Sequence, residues 1–142
     1  MRRAIALDPS SPWPRLDLAR LLRDAGEDQQ ADQLLDSLIR THPEVLDVRV
    51  AQAYALADDQ RWLEVLRILE DLPVSARDRS VRTLQQRAWI HYQVERARLA
   101  RLAGDFELAY TALHAADDAS RGAVEYAALL AGGWAELGDP AR

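Results

Sequence analysis

The stretch PWPRLDLARLLRDAGEDQQADQLLDSLIRTHP, Pro12–Pro43, decides the fold. It holds two helix-forming runs separated by Gly26-Glu27 and closed by Pro43. The same punctuation, a glycine followed by an acid after a helical run, returns at Gly104-Asp105 and Gly138-Asp139. Gln60-Arg61 fills the equivalent slot between two further helical segments. Setting these four sites as position 15 of a 34-residue unit places unit starts at Pro12, Leu46, Ile90 and Val124. The first and last spacings are 34 residues, and the middle one is 44, so ten residues are extra.

The register organises the rest of each unit. Position 8 is Ala19, Ala53, Ala97 and Ala131; position 20 is Ala31, Val65 and Ala109. Position 24 is Leu35, Leu69 and Leu113, and position 27 is Leu38, Leu72 and Ala116. Small residues at 8 and 20 let two antiparallel helices approach closely, and proline at position 32 (Pro43) ends the second helix. This pattern resembles the tetratricopeptide repeat. The resemblance implies an all-α, right-handed superhelical solenoid of antiparallel helix pairs. The chain departs from the family pattern at position 4, where Arg15, Arg49, Gln93 and Ala127 replace the usual aromatic. It departs again at position 32, where Arg77 and Arg121 stand and Pro73 comes four residues early. Shifted ends are therefore expected for the second helices of units two and three.

Periodicity predicts helices over about 14–25, 28–41, 45–58, 61–71, 79–103, 105–117 and 122–137. Asp59 and Asp105 are expected to cap the starts of second helices. Residues 1–11 read as the tail of a preceding unit, 73–89 as an irregular insertion, and 139–142 as the opening of a further helix. The whole chain, 1–142, reads as a slice of a longer array, because no polar capping helix is visible. The helix at 79–103 is overlong. It predicts either a hinge at 73–80, with a change of superhelix direction, or a longer rod packed under unit two.

Composition agrees with this and removes whole classes of function. The chain has 25 Ala and 22 Leu, both strong helix formers, against six Gly and six Pro. All 18 basic residues are Arg, and Lys and Cys are absent, so a Schiff-base lysine, a thiol nucleophile and a thiolate metal site are excluded. The net charge of −5 disfavours a nucleic-acid surface. No apolar run approaches the roughly 20 residues that span a bilayer.

No catalytic, cofactor or metal site is expected. His42, His91 and His114 share no ligand spacing, and no Ser/His/Asp group or phosphate loop occurs. Asp58/Asp59 and Asp117/Asp118 fall at expected helix ends, where aspartates cap better than they catalyse. Trp62 and Trp134 fall at positions where such repeats pack an aromatic between helices, whereas Trp13 and Trp89 are less constrained. Gly132-Gly133 lies inside a helix at a cost of roughly 1 kcal/mol per glycine, which points to a close helix approach. In the resembled family, positions 2, 5, 9, 12 and 13 line the concave groove. Carried over, they nominate Trp13, Leu16, Arg20, Arg23 and Asp24, then Asp47, Val50, Tyr54 and Asp58, then His91, Val94, Arg98 and Arg101. Arg and aromatic side chains suit a carboxylate, a peptide or a polysaccharide. The chaperone-tail clamp of some such domains uses Lys and Asn, and this chain has neither.

Longer phrases are more specific. DPSSPWPRLDLAR (Asp8–Arg20) and LPVSARDRSVRTL (Leu72–Leu84), with RLAGDFELAYTAL and WAELGDPAR, resemble the periplasmic repeat region of the bacterial cellulose synthase C subunit. That resemblance implies a non-enzymatic periplasmic scaffold whose parent protein is anchored in the outer membrane and exports cellulose. It implies contacts with other synthase subunits, with the cellulose chain or with peptidoglycan. A tetratricopeptide adaptor holding a peptide or protein partner in the same groove is the alternative.

Overall fold

The computed structural model describes residues 11–138. The expected tail at 1–11 therefore lies outside it except for Ser11, and the opening at 139–142 lies outside altogether. Among the described residues every regular element is helical: α1 (Trp13–Asp24), α2 (Asp28–Thr41), α3 (Leu46–Asp58), α4 (Trp62–Glu70), α5 (Arg79–Leu102), α6 (Phe106–Ser120) and α7 (Ala127–Leu137). Short 3₁₀ turns at Val74–Ala76 and Val124–Tyr126 precede α5 and α7. The chain divides into two compact units, Met1–Val81 and Arg82–Arg142.

In the first unit α1 packs on α2 and α3 on α4, with α2 and α3 also in contact. Its core joins Leu16, Ala19, Ala31, Leu35, Ala51 and Ala55. Ala19 and Ala31 occupy positions 8 and 20 and are buried, as are Ala53 and Val65. Methyl-sized side chains at these points let helix axes approach, and the leucines at positions 24 and 27 fill the space beside them.

The position-15 slot is one backbone device used repeatedly. Gly26, Gln60, Gly104 and Gly138 all have positive φ, at 81°, 60°, 82° and 94°. Around Gly26 the amide donates to Arg23 O at 2.9 Å, and that of Glu27 to Leu22 O at 2.8 Å. Gln60 and Arg61 repeat the pair with Ala57 O and Leu56 O, and Gly104 and Asp105 with Arg101 O and Ala100 O. This double closure is the Schellman motif, which satisfies the last carbonyls of a helix and needs a left-handed residue. At Asp59 the expectation fails: it is the C-cap of α3, while Arg61 precedes α4 without a side-chain cap. The motif itself occupies Gln60 and Arg61, so Asp59 stands too early in the turn to cap α4. Asp105 does cap α6, accepting from Leu108 N at 3.0 Å.

α4 ends at Glu70, and Arg77 closes it by donating to Glu70 O at 2.9 Å and Leu72 O at 3.3 Å. A guanidinium there meets carbonyls that carry the negative end of the helix dipole. Asp78 then starts α5, accepting from Val81 N at 2.9 Å. α5 has 24 residues and is about 36 Å long, the overlong helix expected from the sequence.

The second unit is built on two buried clusters. One joins Ala97 and Ala100 of α5 to Ala109, Ala112 and Leu113 of α6 and Trp134 of α7. The other joins Ile90, Ala116, Tyr126 and Leu130. A Cβ added at Gly133 would lie 2.7 Å from Leu113 Cδ2, which is the close approach expected of this glycine; at Gly132 it would meet nothing. Asp117, expected to cap a helix end, instead lies inside α6, because α6 runs on to Ser120 and stops at Arg121, with φ of 51°.

Candidate functional site

Trp13 and Arg20 are seven residues apart on α1, which is two turns and places them on one face. Tyr54 and Asp58 are four apart on α3, again on one face. The two faces meet. Trp13 and Tyr54 form an edge-on ring contact with centroids 6.2 Å apart and planes at 71°. Two turns along, Arg20 Nε donates to Asp58 Oδ2 at 2.8 Å and its Nη2 to Oδ1 at 3.4 Å. The hydrogen bond to Asp58 raises the already high pKa of Arg20 further, against a smaller opposing effect of burial. Tyr54 Oη lies 3.2 Å from Ser80 Oγ, a hydrogen bond in which either hydroxyl can donate. Trp13 remains 38% exposed. The face is thus an aromatic pair followed by a fork-shaped ion pair.

Other nominated residues sit differently. Leu16 is a correction: it is 3% exposed and belongs to the core between α1, α2 and α3, so no ligand reaches it. Val50 is buried too. In a helix pair whose contact side is lined by alanines, the larger side chains at position 5 turn inward to fill the space. Arg23 pairs with Asp32 and with Asp59, 3.3 Å away. It lines a separate open cleft of about 240 Å³ with Asp36, Gln52, Arg61 and Glu64.

In the second unit the His91 ring stands edge-on to Tyr126, centroids 6.4 Å apart. Burial lowers its pKa, and the nearby positive charge of Arg87 lowers it further. Arg98 is exposed. Arg101 lies 3.8 Å from Glu136, and its Nε is buried without a hydrogen-bond partner. Gln93, at the position where the repeat usually carries an aromatic, is buried with Oε1 unpartnered. The sequence reading did not single out Ser80, nor the ring cluster of Tyr110, His114 and Trp134, whose centroids lie 4.5 to 5.3 Å apart. The four-residue spacing of Tyr110 and His114 was the available signal for that cluster. Nothing local marks Ser80, which reaches Tyr54 from 26 residues away. Among the described residues no group of three or more His, Cys, Asp or Glu is arranged to hold a metal ion. None of the described helices is long and apolar enough to cross a membrane.

Comparison with known proteins agrees with this architecture. Residues 1–57 match the tetratricopeptide repeat family. Cellulose synthase operon protein C of Xanthomonas axonopodis pv. citri (strain 306) is 33% identical over 90 residues, covering 63% of this chain and 6% of that protein. Its namesake in Pseudomonas fluorescens (strain SBW25) is 26% identical over 137 residues, covering 96% of this chain and 11% of that protein. Cellulose synthase 2 operon protein C of Komagataeibacter xylinus is 45% identical over 53 residues, which is 37% of this chain and 4% of that protein. No solved structure matches. The described residues form an all-α helical repeat, in keeping with that match over residues 1–57. In sequence the chain is a relative of cellulose synthase operon protein C, and it spans about a tenth or less of the length of the relatives it matches.

Proposed function

We propose that the chain is a non-catalytic repeat scaffold of a bacterial cellulose synthesis and export apparatus, working in the periplasm as part of an outer-membrane-anchored protein. The observation that carries this reading is the similarity to cellulose synthase operon protein C along 96% of the chain. The architecture supports it: helix pairs with small residues at the contact points make a rigid surface for partners. The partners are other subunits of the synthase. The residues that meet a partner or ligand are Trp13, Arg20 and Tyr54 in the first unit, with His91, Arg98 and Arg101 in the second.

The test replaces residues 12–138 in the parent protein by an unrelated helical repeat of the same length. Secreted cellulose is expected to fall while glucan synthesis by isolated inner membranes is retained. Unchanged secretion, or loss of synthesis itself, would count against an export scaffold. Fractionation of the parent protein checks the compartment, with recovery in the cytosol as the contrary result.

A further inference from the structure

We propose that the contact of His91 with Tyr126 is an acid-released latch: protonation of His91 frees the Val124–Tyr126 turn and the start of α7, while Trp134 keeps the rest of that helix docked. Each unit ties one first helix to the next with a ring contact and an ion pair. In the first unit these are Trp13 with Tyr54, centroids 6.2 Å apart, and Arg20 with Asp58 at 2.8 Å. In the second they are His91 with Tyr126, centroids 6.4 Å apart, and Arg101 with Glu136 at 3.8 Å. The register is shared, since Trp13 and His91 both stand at position 2, and Asp58 and Glu136 at position 13. The second tie is the weaker one. Its ion pair is too long for a hydrogen bond, and its position-2 ring can take a proton, which an indole cannot.

One side chain holds the turn. Val124 is 88% exposed and Glu125 is exposed, whereas Tyr126 is 4% exposed and packs with Ile90, Ala116 and Leu130. Tyr126 directly precedes α7, whose first buried residue is Leu130. Moving Tyr126 outward therefore undocks the turn and the first turn of α7 together. His91 stands half-buried beside it. Loss of water around the imidazole penalises its charged form, and Arg87 on the same helix repels it; both lower the pKa of His91. On the turn, burial and then the charge of Glu125 raise the pKa of Tyr126, so its hydroxyl stays neutral in acid. α6 brings alanines, Ala116 and Ala119, to the cluster. Undocking returns His91 to water, where it takes up a proton more readily, so a falling pH favours the open turn. Trp13 has no proton to gain, and the tie between α1 and α3 should ignore the same change.

Amide hydrogen exchange of the 142-residue chain at about pH 7.5 and about pH 5.5, corrected for intrinsic rates, tests this. Protection over residues 123–130 is expected to fall at least about twofold at the lower pH. Protection of residues 133–137, around Trp134, and of α1 and α3 should hold. His91→Phe keeps a ring that cannot take a proton, so its protection over residues 123–130 should be the same at both values. His91→Gln, polar and without charge, gives the same reading if phenylalanine fails to pack, and circular dichroism checks that each variant is folded. Unchanged protection, a fall spread evenly over both units, or a fall that persists in both variants would each overturn the latch. So would protection that rises in acid, which would mean that the imidazolium is held by the tyrosine ring. The latch stands apart from the export reading, and neither falls with the other.

Discussion

Arg20 and Asp58 join α1 to α3 through an ion pair whose side chains remain 43% and 32% exposed, whereas Trp134 and Asp117 join α7 to α6 through a bond at the edge of a core. Trp134 is 1% exposed, and its Nε1 donates to Asp117 Oδ2 at 2.7 Å. Tyr110 and His114 stand edge-on around the same indole. Both contacts tie neighbouring helices, yet they answer to different physics. Water competes for every hydrogen bond of the first, so its net worth is small and its groups can exchange partners cheaply. The second sits beside buried apolar surface, where an unmet donor is expensive. The Arg20–Asp58 pair therefore stays open to water, and the Trp134–Asp117 bond holds two helices together beside a core.

The largest effect that tests this contrast is Trp134→Ala. Removing a buried indole should cost about 3–5 kcal/mol by denaturant unfolding followed by circular dichroism. A cost below that of Arg20→Ala would break the comparison. Asp117→Ala should come next, at about 1–3 kcal/mol, because the indole N–H loses its acceptor. Asp117→Asn keeps an oxygen in place and should cost less than half as much. A reciprocal swap at the turns sharpens the comparison from another side. Gln60→Gly should stabilise by roughly 1 kcal/mol and Gly104→Gln should destabilise by a similar amount, since both slots demand a left-handed residue.

Arg20→Ala should change stability by at most about 1 kcal/mol by the same unfolding measurement. A large loss of stability would assign Arg20 a structural role and count against it as a partner-meeting residue. The smallest effect is a pH response in the second unit. Burial depresses the pKa of His91 in the folded chain, so the unfolded chain takes up the proton first as pH falls. Stability should decline as pH drops from the ordinary imidazole value near ~6.5 toward the depressed folded value, then level off with respect to this group. Denaturation curves between about pH 7.5 and 5 should show that slope, and His91→Gln should flatten it.

The helices were legible in the sequence to within a few residues because their signals are local. Ala31, Leu35 and Leu38 recur at helical spacing, and the slots at Gly26 and Gly104 mark where the chain reverses. Gln60 shows how far the register reaches, since a residue with no turn preference of its own adopts the same backbone at φ of 60°. The end of α6 was less legible. Arg121 and Gly122 both have positive φ there, and an arginine in that conformation carries no advance sign. The face shared by α1 and α3 was half legible. Helical periodicity places Trp13 with Arg20 and Tyr54 with Asp58, but it also nominated Leu16, which the core claims.

The 34-residue period by itself determined the class of fold, the turn positions and the small-residue contacts, because each depends on residues close together in the chain. Only the tertiary structure decided which charged groups neutralise one another and which rings touch. Arg20 meets Asp58 across 38 residues, and Trp134 meets Asp117 across 17, between different helices. A period states which side of a helix a residue faces. It cannot state how far the next helix stands from it, and that distance governs both burial and the strength of every polar contact.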